Sequence, residues 1–415
     1  MNETVLIRQL VDDVPPMSPA AFDSGRRRIL ALHRWVKARK ATRVLWLLAL
    51  VALPLVLAVT GTYFMDLQVY RTGGIAWLRD LPLYVGFPGA LDGPRLPFTY
   101  PPVAAVLFSG LGFLPVWAAN SLVTVVGFLC LSVVCFVVTG RLTRRPDVVW
   151  TVTAAASVAA IALEPVRSTF LFGQINLVLM ALVVVDCFAV TDRRWRGMLV
   201  GLAAAIKLTP LVFVLYFLVR GDRRAALTSV ASFAGLAGAG FVLAPRDSAE
   251  YWLHAVLDPS RVGGLAYAAN QSIRGVLHRL NPGQPAETVL WVVLSAIVLL
   301  LAVVAARRTR HDVVALVAIA AAGLLVSPVS WSHHWVWCVP AFLALGFLRR
   351  NATLPVLAAV CCLGPFTWLP STGDREMLWT WWQHLYGDIY TWCAIGGLVV
   401  LAVTGQDRTR LTADR

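Results

Sequence analysis

From residue 44 onward the chain alternates long apolar runs with short polar clusters. Val44–Tyr63, Ala119–Gly140, Ala225–Ala244 and Glu287–Ala306 approach or reach the roughly 20 apolar residues that a helix needs to cross a bilayer. Asp147–Leu163, Ile175–Val190, Asp312–Ser327, Leu354–Leu369 and Asp388–Val403 are somewhat shorter runs of the same kind. Residues 103–114 are apolar but broken by Gly110 and Gly112 and ended by Pro115, a length that suits a re-entrant or interfacial helix. Gly197–Val219 carries Lys207 and Pro210 at its middle, which predicts two short helices turning at Lys207-Leu-Thr-Pro210. Leu67–Leu78 predicts an amphipathic helix lying at the interface, and Gly86–Pro97 is rich in turn residues. Hydrocarbon offers the backbone no hydrogen-bond partner, so these spans are helical. The short alternating runs of a membrane β-barrel are not seen. The fold class predicted is an all-α polytopic membrane protein.

The basic residues orient that bundle. They cluster at Arg26 to Arg43, Arg141 to Arg145, Arg193 to Arg196, Arg220 to Arg224, Arg307 to Arg310 and Arg349-Arg350. Placing every cluster in the cytoplasm gives about ten full spans plus the Lys207 hairpin, with both termini inside. The division expected is a basic, partly disordered segment over 1–43, a membrane domain over 44–404 and a tail over 405–415. Residues 26–42 suit a basic helix on the inner leaflet, and no cleavable signal pattern is present. The chain is 58% hydrophobic and 14% charged, against about 25% charged residues in soluble domains. The net charge of +14 sits in the clusters. It therefore reads as topology and contact with anionic lipid, not as a nucleic-acid surface. All seven cysteines fall in apolar runs and read as small core residues.

Topology set by Lys and Arg alone gathers the remaining polar groups at one face: Asp66, Tyr100, Glu164, Gln174, Asn176, Lys207, Asn270, Gln271, Ser330, His333 and His334. Ionisable groups at membrane depth are costly and usually functional. Asp66 is either an interfacial acid at a helix end or a general base. Lys207 is either a snorkelling lysine or the partner of an anionic substrate group. His333 and His334 belong either to an aromatic belt or to a phosphate site, and adjacent helical residues point apart, so one of them would face the site. Gln174 and Asn176 open a helix, where Asn176 suits an N-cap, and Glu164 before Pro165 reads first as a solvated turn. Asn270-Gln271-Ser272 suits sugar hydroxyls. Trp331, Trp335, Trp379, Trp381 and Trp382 suit an interfacial belt or a sugar platform. No Asp-x-Asp, Walker, Gly-x-Ser-x-Gly or His-Glu-x-x-His pattern occurs.

Asp66 after the first span, Phe98-Thr-Tyr-Pro-Pro102, Gly173-Gln-Ile-Asn176, Lys207-Leu-Thr-Pro210, Asn270-Gln-Ser272 and Ser327-Pro-Val-Ser-Trp-Ser-His-His334 together resemble the GT-C superfamily of membrane glycosyltransferases. Within it, the chain is similar to glycosyltransferase family eighty-seven, and to its mannosyltransferases of phosphatidylinositol-mannoside synthesis. The resemblance implies a GT-C-like bundle of about 10–12 helices, with juxtamembrane helices in the first outer loop. It implies a polyprenyl phosphate mannose donor and a glycolipid acceptor. It also implies inverting α-1,2 transfer on the extracytoplasmic face of the plasma membrane, with no cofactor and no metal. Asp66 would be the base, with His333 or His334 beside it. Lys207 and Arg71 would hold the donor phosphate. Tyr100, Gln174, Asn176, Asn270, Gln271 and Trp331 would hold sugars. An arabinofuranosyltransferase or a lipomannan-branching mannosyltransferase of the same fold is the alternative. A transporter is a further rival, set back by the one-sided site and the lack of an internal repeat.

Overall fold

The computed structural model describes residues 40–84, 96–348, 352–371 and 373–404. The segment before Lys40, most of the turn-rich Gly86–Pro97 stretch, the Arg349-Arg350 cluster and the tail lie outside the described residues. Among those described, the architecture is helical, and the one β feature is an isolated antiparallel bridge between Asn270 and Trp331.

The first apolar run forms α1 (Lys40–Val59), a peripheral helix tied to its neighbour where Trp46 Nε1 donates to Ser132 Oγ at 2.8 Å. Next come α2 (Met65–Leu78), α3 (Pro102–Gly112) and α4 (Val116–Leu142). The run after Pro146 is α5 (Pro146–Ala159), continued by a 3-10 turn and then bent 76° into α6 (Glu164–Phe172). After α7 (Asn176–Phe188), the Lys207 run breaks as its proline predicts. α8 (Met198–Ile206) stops, a 3-10 turn spans Thr209–Val212, and α9 (Phe213–Val219) follows. The second half holds α10 (Arg223–Leu243), α11 (Pro245–Leu253), α12 (Ile273–Leu280), α13 (Ala286–Arg308) and α14 (Asp312–Val326). A 3-10 turn over Ser332–Trp337 then leads into α15 (Cys338–Leu348), followed by α16 (Thr353–Leu363), α17 (Gln383–Gly387) and α18 (Ile389–Thr404).

By length and composition four of these helices, α1, α4, α10 and α13, can each cross a membrane, or five spans if bent α5–α6 counts as one. The other apolar runs form shorter helices of 10–17 residues, so the ten full-length spans expected from hydropathy do not appear as ten long helices. The cause is local. Pro210 cannot continue α8, and α16 ends at Gly364, whose φ of +54° closes the helix in the left-handed region.

Two further expectations need correction. The segment after Asp66 is a helix, but a buried one, with Leu67, Gln68, Val69, Tyr70, Thr72, Gly73, Gly74 and Ala76 all inside. Gly74 permits this, since a Cβ there would sit 2.7 Å from the Ser109 backbone of α3. Residues Glu164 to Asn176, expected as an outer turn, are mostly helix α6.

Three of the described arginine clusters meet at one end of the bundle. Arg141 and Arg220 both reach the Asp312 carboxylate at 3.0 Å, and Arg196 pairs with Asp222 at 3.1 Å.

Candidate active site

The site is built where α2, α6, α7, the Lys207 break and the histidine turn converge. Asp66 lies in the first turn of α2, and Tyr70, one turn later, shares its face. Tyr70 is fully buried and stacks on Phe108 of α3, with ring centroids 4.6 Å apart. Its hydroxyl donates to Gln174 Oε1 at 2.7 Å and lies 2.9 Å from the Tyr100 hydroxyl. Tyr70 spends its proton on Gln174, so Tyr100 is the donor between the two phenols. Tyr100 is fixed from behind by Tyr84, whose hydroxyl donates to the Tyr100 carbonyl at 2.5 Å.

Gly173 sets Gln174 against Asp66. It ends α6 with φ of +67°, and an added Cβ would lie 2.8 Å from Leu67 Cβ. Both the backbone angle and the close approach to α2 call for glycine. The Asp66 carboxyl is half-buried, and burial pushes its pKa up from 3.8 to about 6. The Gln174 side chain and the Lys207 charge oppose that rise.

Lys207 leaves α8 in extended conformation, with φ of −146° and ψ of 125°. Its ammonium lies 2.9 Å from His334 Nε2, donates to Asn176 Oδ1 at 3.3 Å, and stands 5.7 Å from the Tyr100 ring centroid. Asn176 does not cap its helix. It is the first residue of α7, and its amide instead donates to the His333 carbonyl at 2.9 Å, alongside Thr169 Oγ1 at 3.0 Å. The two histidines divide as adjacent residues should: His334 meets Lys207, while the buried His333 ring packs edge-on against Phe172. His333 Nε2 has no protein hydrogen-bond partner.

Asp66, Tyr100, Gln174, Asn176, Lys207, His333 and His334 are thus brought together, and four other candidates stand apart from that network. Arg71 donates to the carbonyls of Leu114 at 2.7 Å and Leu111 at 3.2 Å, serving the C-terminal end of α3 and not the Lys207 pair. Gln271 gives its amide protons to the Ala268 and Gly387 carbonyls and accepts from the Tyr390 N–H. Asn270 donates to the Leu265 carbonyl and accepts from the Ser330 N–H. Both are fully buried and hold the loop against the histidine turn. Trp331 packs edge-on against Tyr267, 5.8 Å away.

Sequence reasoning missed Tyr70 as a member of the network, although its i+4 spacing from Asp66 was a readable signal. It also read Glu164 as solvated, whereas the side chain is 5% exposed.

Two cavities adjoin the site. One of about 50 Å³ is lined by Asn176, Lys207, Thr209, Ser330, His334 and Trp337. A second, of about 500 Å³, is walled almost entirely by apolar side chains of α14, α15, α16 and α18. Leu324 and Trp337 line both. Among the described residues no group of three or more His, Cys, Asp or Glu side chains stands close enough to hold a metal ion.

A helical membrane bundle with a half-buried acid beside a cationic pocket and an apolar cavity fits the class of membrane glycosyltransferases that use lipid-linked donors. Residues 98–328 match the model of glycosyltransferase family 87, and the chain belongs to that family. It is 44% identical over 389 residues to a polyprenol-phosphate-mannose-dependent alpha-(1-2)-phosphatidylinositol mannoside mannosyltransferase of Mycobacterium tuberculosis, covering 87% of this chain and 90% of the relative. It is 40% identical to the protein of the same description in Mycolicibacterium smegmatis, over 84% of this chain and 85% of that one. A third relative, the corresponding pentamannoside mannosyltransferase of M. smegmatis, is 34% identical over 64% of this chain and 68% of its own length. No solved structure matches the chain.

Proposed function

We propose that this chain transfers mannose from polyprenyl phosphate mannose to a mannose 2-hydroxyl of a phosphatidylinositol mannoside. The transfer takes place at the extracytoplasmic face, forms an α-1,2 linkage and inverts the anomeric centre. The observation that carries this reading is the chain of contacts from Asp66 to the Gln174 side chain and on through Tyr70 and Tyr100 to the Lys207–His334 pair. The relatives' donor and acceptor classes support it. The basic clusters opposite the site support the orientation.

In this mechanism Asp66 takes the proton of the acceptor hydroxyl as its oxygen attacks the anomeric carbon. The carbon–oxygen bond to the donor phosphate breaks on the opposite face. Its electron pair leaves with the phosphate, which passes from diester to monoester and gains negative charge. Lys207 meets that charge, with His334 orienting the ammonium. An Asp66 carboxyl with pKa of about 6 is ionised at neutral pH and a stronger base than an ordinary aspartate. The cavity at Lys207, at about 50 Å³, lies far below the roughly 300–1,000 Å³ of small-molecule sites. It suits a small anionic group, with the sugar lying toward Asp66. The 500 Å³ apolar cavity sharing Leu324 and Trp337 then takes the isoprenoid chain. Tyr100 and Gln174 bound the sugar site, and Trp331 with Tyr267 offers an aromatic edge to the acceptor.

Identity is lower to the pentamannoside enzyme than to the relatives described for phosphatidylinositol mannosides in general. That favours phosphatidylinositol mannosides other than the pentamannoside product as acceptors to be tested. The test is transfer of labelled mannose by purified protein in detergent to acceptors of increasing mannose number, beside an arabinofuranosyl donor. Transfer from the arabinofuranosyl donor alone would replace the sugar assignment. Loss of the product to an α-1,2-mannosidase confirms the linkage.

A further inference from the structure

Glu164 belongs to the site although it faces neither sugar nor phosphate. It is the first residue of α6 and is buried. Its Oε1 accepts from Ser168 Oγ at 2.7 Å and from Ser332 Oγ at 2.8 Å, and its Oε2 accepts from the Tyr390 hydroxyl at 2.9 Å. Those hydroxyls come from α6, the histidine turn and α18. Ser332 directly precedes His333, whose carbonyl accepts from Asn176 and shares the hydroxyl proton of Thr169, also on α6, with the Pro165 carbonyl. The turn that carries His334 is therefore held at consecutive residues from the same helix. Gly364 lets the chain after α16 close over the carboxylate, since a Cβ there would come 3.1 Å from Glu164 Cγ.

A buried carboxylate is an expensive way to join two helices and a turn. Apolar packing of similar volume usually serves at lower cost. What the carboxylate adds is direction: three hydroxyls must point at it, and this fixes the Ser332 backbone in one register. Lys207 Nζ lies 2.9 Å from His334 Nε2, so a small shift of that turn would part the pair.

We propose that Glu164 is a positioning residue that, through Ser332 and Tyr390, holds His334 against Lys207 and so sets the affinity for the donor phosphate. This rests on the reading that Lys207 and His334 take that phosphate.

The test uses purified full-length protein in detergent, with Glu164→Gln, Ser332→Ala and Tyr390→Phe, each made in the wild type and in a His334→Ala background. Readouts are kcat and KM for donor and acceptor, product inhibition by polyprenyl phosphate, and thermal unfolding. A misplaced group far from the chemistry costs up to about a hundredfold, and we expect kcat/KM for the donor to fall by about ten- to a hundredfold in Glu164→Gln. Inhibition by polyprenyl phosphate weakens in parallel, and KM for the acceptor stays unchanged. In the His334→Ala background the same substitutions add little, because the coupled partner is already gone. If Glu164→Gln does not fold, Tyr390→Phe keeps the carboxylate and gives the same readout.

The inference is overturned if the loss persists undiminished without His334, or if unfolding temperature drops while donor kinetics stay put. Should Lys207→Met and His334→Ala themselves leave polyprenyl phosphate inhibition unchanged, the phosphate reading falls and this inference falls with it. If they weaken inhibition while the Glu164 set does not, only the role of Glu164 is lost.

Discussion

The two ends of this bundle are polar in opposite ways. At the arginine end, charges pair between helix ends in partly open positions, with the Arg141 and Asp312 side chains 45% and 40% exposed. At the other end, the candidate site's own charges, Asp66 and Lys207, are half-buried among phenols and amides, and the Arg279–Asp388 ion pair nearby is fully buried. The backbone at the site end is shaped by a left-handed glycine, an extended lysine and a 3-10 turn at the histidines, while left-handed glycines also occur at the arginine end, at Gly197 and Gly221. Exposed ion pairs contribute little to stability and are screened by salt. Buried groups held by neutral hydrogen bonds are costly when mispaired and strong when a substrate supplies the missing charge. Under the proposed function, the first end orients the protein in its membrane and the second does the chemistry.

The sharpest way to break that contrast is Asp66→Asn. The change keeps shape but removes the base, so transfer falls by about 10²–10⁴-fold with folding and donor binding retained. Mannosyl transfer and donor-binding assays on the purified variant check this. Undiminished turnover would move the base elsewhere. Lys207→Met comes next. Loss of one charge stabiliser of the leaving group costs about 10²–10³ in kcat. It should also weaken inhibition by polyprenyl phosphate, whereas Asp66→Asn should leave that inhibition nearly intact. Equal inhibition constants in both variants would place the phosphate away from Lys207.

How much of this was legible from residues depends on which force set each feature. Span lengths and arginine clusters follow from the bilayer, which acts on any sequence alike, so α4, α10 and α13 start and stop close to where hydropathy puts them. The break at Pro210 was legible because proline acts locally. The burial of α2 was not, since it depends on Gly73 and Gly74 meeting Phe98 and Ser109, contacts remote in sequence. Arg71, Asn270 and Gln271 were read as ligand-facing because a guanidinium or amide that binds a substrate looks identical in sequence to one that binds a backbone carbonyl. Glu164 was read as solvated for a related reason. Its three hydroxyl partners lie 4, 168 and 226 positions away.

Smaller effects sharpen the picture. Gly173→Ala forces a side chain into the left-handed region and against Leu67, a strain of about 1–3 kcal/mol. It should lower thermal stability and, by pushing Gln174 off Asp66, also lower kcat. A stability loss without any kinetic change would detach this turn from the site.

The pH profile follows from Asp66. Its base form is lost as pH falls through about 6, so activity should drop on the acidic side there. The Lys207 charge favours the ionised carboxylate, so Lys207→Met should move that limb to higher pH in its residual activity. Gln174→Leu removes the neighbouring amide and shifts the limb the same way. A limb that stays in place in both variants would mean that another group controls it.

The least effect is expected where the contrast says charge matters least. Arg141→Gln removes one of two arginines on an exposed carboxylate and leaves Arg220 paired with Asp312 at 3.0 Å. Exposed pairs are worth about 0–1 kcal/mol, so the unfolding midpoint should barely move, and kcat should not change because the substitution lies at the far end of the bundle. Its informative readout is orientation. Inner clusters act by number, and Arg144 and Arg145 remain beside it, so accessibility labelling of single cysteines should find both ends of the protein on their original sides. Only stripping the whole 141–145 cluster should disturb insertion. If Arg141→Gln alone abolished activity, the arginine end would be part of the working site, and the division of labour between the two ends would have to be abandoned.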